Sequence, residues 1–229
     1  MASMITLQDV CKKFTLSQEQ TVRAVEHVSL EVQEGEFVVI TGRSGSGKTT
    51  MLNLIAGLTR PTSGKVFLDG IDLWSIPDVK QSALRNRKIG FIFQFPSLLP
   101  SLTAQENVAL PSIFNKNSGQ TVTDEKAVDL LKTVGLADRL HSYPRQLSAG
   151  QQQRVVVARA LFNQPELILA DEPTSDLDEQ TENEIMELFR EIHHNTGVTI
   201  VMVTHSSQLV VYGTRAVKMA VGRVVEPAI

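Results

Sequence analysis

The residues best suited to chemistry stand in one run, Gly42-Arg43-Ser44-Gly45-Ser46-Gly47-Lys48-Thr49, which satisfies the spacing GxxxxGK[ST] at every fixed position. Glycines let the backbone turn several N–H groups toward one point, the lysine adds a cation, and the hydroxyl can ligate a hard metal ion. That combination suits a polyphosphate with Mg²⁺, Lys48 reaching the β- and γ-phosphates and Thr49 binding the metal. Farther on, Asp171-Glu172 closes the apolar run Leu167-Ile168-Leu169-Ala170. Two carboxylates where a buried strand meets the surface are unfavourable unless a cation or a reacting water accompanies them. Asp171 is therefore expected as the second anchor of the metal, and Glu172 as the general base. Two more polar residues end apolar runs, Gln94 after Phe93 and His205 after Thr204. A lone histidine at a strand end is more often structural than catalytic, but this one ends a third strand that carries a polar residue to the same edge. Phe14, flanked by polar residues, is either a core aromatic or a platform for a planar base, and position alone favours the core.

Elements must hold these residues. Phe37-Val38-Val39-Ile40 is a β-branched, apolar run that reads as a buried strand feeding the glycine-rich loop. Residues 50–57 carry Leu52, Ile55 and Ala56 at helical spacing, with Gly57 as the stop. The loop thus opens a helix whose positive end faces the phosphates. Residues 5–10 and 24–32 read as strands joined by a polar turn at 17–21, with an irregularity near His27, and suggest a small β layer beside the loop. Residues 64–70 form a strand and turn, and 77–88 a polar helix with Pro77 in its first turn. Phe95-Pro96-Ser97-Leu98-Leu99-Pro100 is apolar, yet its prolines forbid a helix interior or central strand, so it is a hydrophobic loop that tucks inward or binds a partner. Thr103 with Glu106, and Ser148 with Gln151, are capping boxes. Residues 121–134 place Ala127, Leu130, Leu131 and Val134 on one helical face, and 179–195 form an amphipathic helix before Gly197. Positions 95–163 are therefore mainly helical, inserted between strands of the nucleotide core.

Composition bounds the possibilities. A chain of 229 residues suits one domain with an insertion, and 42% hydrophobic against 21% charged content describes an ordinary globular protein. The net charge of −3 gives no argument for nucleic acid as a partner. With Cys11 as its single cysteine the chain can form no internal disulfide, which suits a reducing compartment. No apolar run approaches the ~18 residues of a membrane span, and the N-terminus lacks the apolar stretch of a signal peptide, so a cytosolic protein is expected.

The ordered set resembles the ATP-binding subunit of an ABC transporter over nearly the whole chain: GRSGSGKT at 42–49, Gln94, LSAGQ at 147–151, LILADE at 167–172, SDLD at 175–178 and His205. LSAGQ is similar to the LSGGQ signature that separates these ATPases from other phosphate-loop proteins. The resemblance implies an α/β fold: a RecA-like phosphate-loop NTPase core with a mainly parallel sheet (1–94 and 164–229), an antiparallel β subdomain, and an inserted helical subdomain (about 95–163). It implies ATP and Mg²⁺ as ligands. Phe14 would stack on adenine, reversing the core reading, while residues 42–49 and Thr50 cradle the phosphates. Thr49, Gln94 and Asp171 would hold the metal, Gln94 also signalling to a membrane partner. Glu172 would polarise the attacking water, with His205 and Lys48 at the γ-phosphate. Ser148, Gly150 and Gln151 would contact ATP bound to a second copy in a head-to-tail dimer, and Asp178 would tie the two sites together.

Ala149 and Asp176 depart from the usual family residues. The alanine is expected to matter little, whereas an extra carboxylate near the dimer seam would weaken closure. PSLLPSLTAQENVALP at 96–111 and YPRQLSAGQQQRVVVARAL at 143–161 are similar to the lipoprotein-releasing and macrolide-exporting branch. That implies integral membrane permease subunits docking near Phe95-Pro96-Ser97-Leu98-Leu99 and a peripheral place on the cytosolic face of the membrane. DNA-repair relatives carry long coiled coils, and translation-associated relatives carry two nucleotide domains; this chain has neither. A regulator of a membrane-anchored cell-wall hydrolase, working without transport, shares all the motifs and remains the alternative.

Overall fold

The computed structural model describes residues 3–15, 21–114 and 124–228. The polar turn expected at 17–21 and the start of the helix expected at 121 thus fall largely outside the described residues. In chain order the strands are β1 (Ser3–Thr15), β2 (Thr21–Gln33), β3 (Phe37–Thr41), β4 (Ser63–Leu68), β5 (Ile71–Asp72), β6 (Ile89–Ile92), β7 (Leu167–Asp171), β8 (Thr199–Thr204), β9 (Arg215–Ala220) and β10 (Arg223–Ala228). The α-helices are α1 (Lys48–Ile55), α2 (Asp78–Lys88), α3 (Ala104–Ala109), α4 (Asp124–Thr133), α5 (Ala149–Leu161) and α6 (Glu179–Thr196).

The strands make two sheets, an antiparallel one in the order β2-β1-β4-β5 and a larger one in the order β10-β9-β3-β8-β7-β6. In the larger sheet β9, β3, β8, β7 and β6 run parallel, and β10 is the antiparallel edge. Parallel strands buried on both faces need continuous apolar sequence, which explains the uninterrupted runs of β3, β7 and β8. Their side chains alternate between two separate cores. Phe37, Val39, Ile168, Ala170, Ile200 and Met202 face a cluster shared with α5 and α6. Val38, Ile40, Leu167, Leu169, Val201 and Val203 face a cluster shared with α1 and the antiparallel sheet.

Register brings the ends of the parallel strands to one edge: Thr41 pairs with Thr204, Asp171 with Val203, and Ile92 with Ala170. The loops leaving β3, β6, β7 and β8 at that edge each carry one of the motif residues, as expected where open α/β sheets bind ligands. Residues 95–163 carry α3, α4 and α5. Val155, Val156 and Val157 belong to the same apolar cluster as the sheet residues, so packing runs without a break across position 163.

The irregularity expected at His27 is a pair of bulges. Asp9 and His27 have φ of 47° and 51°, the β1–β2 register shifts there, and His27 Nδ1 lies 2.8 Å from Asp9 Oδ1. Beyond the bulges β1 continues well past the predicted end at Val10, and this extension carries Phe14 opposite Val22.

Candidate functional site

β3 ends at Thr41, the glycine-rich loop follows, and Gly47 caps α1 with φ 99°. Lys48 therefore lies in the first turn of the helix rather than ahead of it. The glycines are required by contact as well as by conformation. A Cβ on Gly47 would stand 2.1 Å from the Ala24 carbonyl oxygen, and one on Gly42 would stand 2.4 Å from that of Met219. The loop is thus packed, backbone to backbone, between β2 and β9.

A cavity of about 670 Å³ opens beside it, lined by Phe14, Val22, Arg23 and Ala24, by Ser44, Gly45, Ser46, Gly47, Lys48, Thr49 and Thr50, and by Gln94, Glu172 and His205. Concavities of about 780 and 750 Å³ lie along α6 and at the opposite end of the sheet, but they gather none of the motif residues. The convergence of polar groups, not size, marks the site. Phe14 forms part of the wall and is 40% exposed, which overturns the core reading made from position alone. Lys12 Nζ lies 4.9 Å from its ring centroid. Ser46 Oγ is buried with no hydrogen-bond partner among the described residues, an orphan that a phosphate oxygen would satisfy.

At the strand edge the charged groups interlock. Lys48, 4% exposed, donates through Nζ to the carbonyl oxygens of Gly42 (2.8 Å) and Arg43 (3.2 Å) and stands 3.5 Å from Glu172 Oε1. The other Glu172 oxygen, Oε2, lies 2.7 Å from His205 Nδ1. Glu172 itself has φ 44°, and its N–H donates to the Val203 carbonyl at 2.9 Å, which turns its side chain off the line of β7. Thr49 Oγ1 donates to Asp171 Oδ1 at 3.0 Å. Burial pushes the Asp171 carboxyl above its ordinary value; the Thr49 hydroxyl opposes this, the Glu172 charge adds to it, and Lys48 opposes it. One face of the site can therefore hold a polyphosphate, and the other presents a carboxylate fixed between a lysine and a histidine.

The remaining sequence-predicted residues lie away from this cavity. Ser148 and Gln151 form the expected capping box at the start of α5: Gln151 N–H donates to Ser148 Oγ (3.2 Å), and Ser148 N–H donates to Gln151 Oε1 (3.0 Å). Gly150 is buried, and a Cβ there would meet Thr181 Cγ2 at 2.5 Å, so this glycine has a packing reason within the chain. Asp178 caps α6, accepting from the N–H (3.0 Å) and the hydroxyl (2.7 Å) of Thr181. Those bonds draw its carboxyl below its ordinary value. Sequence reasoning missed Val22, Arg23 and Ala24 on the cavity wall, and it missed Gly222, whose N–H donates to the Ser46 carbonyl at 3.0 Å. The only sequence signal for Gly222 is its place in a turn.

The profile of the ABC transporter family matches residues 25–175. Over 222 residues the chain is 40% identical to the lipoprotein-releasing system ATP-binding protein LolD 1 of Chlorobium chlorochromatii, covering 97% of this chain and 90% of that protein. It is 44% identical to the macrolide export ATP-binding/permease protein MacB of Syntrophobacter fumaroxidans, with 98% of this chain matched but only 31% of the relative's length. Among solved structures it resembles the ATP-binding cassette MJ0796 of Methanocaldococcus jannaschii, solved as a dimer in a post-hydrolysis state with ADP and Pi bound (TM-score 0.90, 41% identity, 98% of each chain). With a phosphate loop, a fixed carboxylate and these relatives together, the chain belongs to the ABC transporter family, as its ATP-binding and ATP-hydrolysing subunit.

Proposed function

We propose that hydrolysis takes place at the Lys48–Glu172–His205 cluster and drives a membrane complex of the lipoprotein-release or macrolide-export type. The observation that carries this reading is Glu172: a mostly buried carboxylate at positive φ, fixed by Lys48 on one oxygen and His205 on the other. A base held in this way costs little reorganisation when it draws a proton from an attacking water. Lys48 and the loop amides oppose the charge that develops on the γ-phosphate, and His205 steadies the carboxylate. Phe14 supports the adenine. Thr49 and Asp171 suit Mg²⁺, being hard oxygen donors 3.0 Å apart, one of them a buried carboxyl that a cation would draw back toward its ionised form, and Gln94 joins them from the end of β6. When bound, Mg²⁺ would neutralise charge on the β- and γ-phosphates.

Ser148, Gly150, Gln151 and Asp178 face no part of this chain's own cavity and are proposed to close the site of a second copy in a head-to-tail dimer. The loop Phe95-Pro96-Ser97-Leu98-Leu99 is proposed to receive the permease. Phe95 is 64% and Leu99 46% exposed, yet the loop is held firmly. Arg159 donates to the Ser97 and Pro96 carbonyls, while Asn107 accepts from the Leu99 N–H and donates to its carbonyl. Residues 95–163 would then link the permease to the nucleotide, and the chain would sit on the cytosolic face of the membrane. Among the described residues no helix is long and apolar enough to cross it.

Glu172→Gln tests the assignment. It should bind ATP normally and lose about 10²–10³ in turnover, the usual effect of removing one preorganised group from such a site. Phosphate release near the parental rate would sink Glu172 as the base.

A further inference from the structure

The turn between β9 and β10 is bonded to the phosphate loop and to β2, both of which contribute to the wall of the nucleotide cavity. Val221 has φ 48°, an unfavourable conformation for a β-branched residue, and the residue is 85% exposed. Gly222 follows at φ 75°, completing the pair of positive φ values that a two-residue hairpin turn demands. The N–H of Gly222 donates to the Ser46 carbonyl at 3.0 Å, and its own carbonyl accepts the Glu26 N–H at 2.8 Å. Arg223, the next residue, grips the Glu26 carboxylate at 2.8 Å, and Arg23 grips it at 2.7 Å. The Ala24 carbonyl sits at the joint: a Cβ on Gly222 would come within 3.1 Å of it, and one on Gly47 within 2.1 Å.

One turn thereby touches the phosphate loop at Ser46 and β2 at Glu26. β2 in turn holds Phe14 through the Phe14–Val22 pair. The two ends of a nucleotide, base and phosphates, fall on the two sides of this bridge. Orientation follows as well as spacing. In a planar trans peptide the carbonyl and the next N–H point in opposite directions. Tying the Ser46 carbonyl to Gly222 therefore turns the Gly47 N–H the other way.

We propose that the Val221–Gly222 turn is a positioning element for the nucleotide, setting the separation between the Phe14 platform and the phosphate loop. The inference rests on the base lying on Phe14. Gly222 is a positioning residue, since it acts through Ser46 and Glu26. Val221 contributes only backbone geometry, which an asparagine can supply with less strain.

The experiment compares steady-state kinetics and ATP binding for the full chain, Gly222→Ala, Phe14→Ala and the double variant, with Val221→Asn as the conservative change. Gly222→Ala should raise the KM for ATP about tenfold, the scale of one misplaced hydrogen bond, with kcat nearly unchanged. Phe14→Ala should also raise KM, and the double variant should rise by less than the product of the two, because a spacing device is worth little once one end is gone. Val221→Asn should keep the parental KM and melt higher. In the parental chain, amide exchange at Gly222 and Glu26 should slow when a non-hydrolysable ATP analogue saturates the site, a reading that needs no variant to fold. A KM product that multiplies, a fall in kcat alone, or unchanged exchange at both amides overturns the spacing role. An unchanged KM in Phe14→Ala overturns the base platform and this inference with it.

Discussion

Phe14 is 40% exposed and lines a cavity that the phosphate loop also lines. An aromatic face held in water is stabilised by any planar base laid on it, by about 1–3 kcal/mol per stack. Phe14→Ala should therefore weaken ATP binding by roughly 5- to 150-fold while leaving the affinity for inorganic triphosphate, which has no base, almost unchanged. Calorimetry with both ligands separates the two cases, and parallel losses would remove Phe14 from base recognition. Ser46 makes the complementary case at the phosphate end. Its buried hydroxyl has no partner among the described residues, so the nucleotide-free protein carries an unmet hydrogen bond. In Ser46→Ala the melting temperature without ATP should hold or rise, while ATP affinity falls by about tenfold, the usual scale for a hydrogen bond to a charged group. A variant that binds ATP at parental strength would show that the orphan has another purpose.

Between elements, the contact of α5 with the start of α6 turns on one methyl group. Thr181 is pinned by its hydroxyl to Asp178, so its Cγ2 cannot swing away from Gly150. Gly150→Ala should destabilise the fold by about 1–3 kcal/mol through overpacking, and Thr181→Ser, which keeps the hydroxyl and deletes the methyl, should restore most of it. Urea melts of the single and double variants check the pair; a loss that persists in the double variant would point to the backbone instead. At the end of α2, Lys88 is 6% exposed and reaches Asp69 and Glu166 at 2.6 Å each, joining the β4–β5 turn to the segment entering β7. Burial alone would lower its pKa, but the two hydrogen bonds and charges outweigh that and raise it. A raised lysine contributes stability that is whole below its unfolded value of ~10.4 and is lost as pH climbs through the folded value. Lys88→Met should accordingly be less stable at neutral pH, by about 1 kcal/mol of unfolding free energy, and the gap should close in alkaline buffer. A gap that is constant with pH would assign the loss to packing.

These elements were legible to different degrees, for physical reasons. Ser148 with Gln151 and Thr103 with Glu106 announce themselves because a cap is made within four consecutive residues. The strands of the parallel sheet were visible because burial on both faces demands unbroken apolar sequence. The extension of β1 to Phe14 was not, since it depends on bulges at Asp9 and His27 that the partner strand completes. Nor was the backing of Gly47 by Ala24 or of Ser46 by Gly222. Those contacts join backbone to backbone across long stretches of chain and leave no side-chain pattern to read.

At the scale of the whole molecule, the cavity has a phosphate loop, a fixed carboxylate and a base platform, while the capping box of α5 lies outside it. A head-to-tail pair predicts complementation. Glu172→Gln and Ser148→Phe chains should each be nearly inactive alone, yet turnover should return on mixing, because one site of the mixed pair draws both intact halves. Continued silence at every mixing ratio would mean that Ser148 serves only its own chain. The sheet order adds a consequence in time. β3, which bears the loop, has β8 and β9 as its neighbours on either side, and both come from residues 199–220. A ribosome that has made the chain only as far as α6 has produced the entire phosphate-loop sequence but neither of the strands that flank it. Such early segments must wait for distant partners, and waiting exposes apolar β-branched sequence. The nascent subunit is therefore expected to bind ATP only once residues 199–220 have been made, and β3 is the segment whose apolar sequence waits longest for its partners.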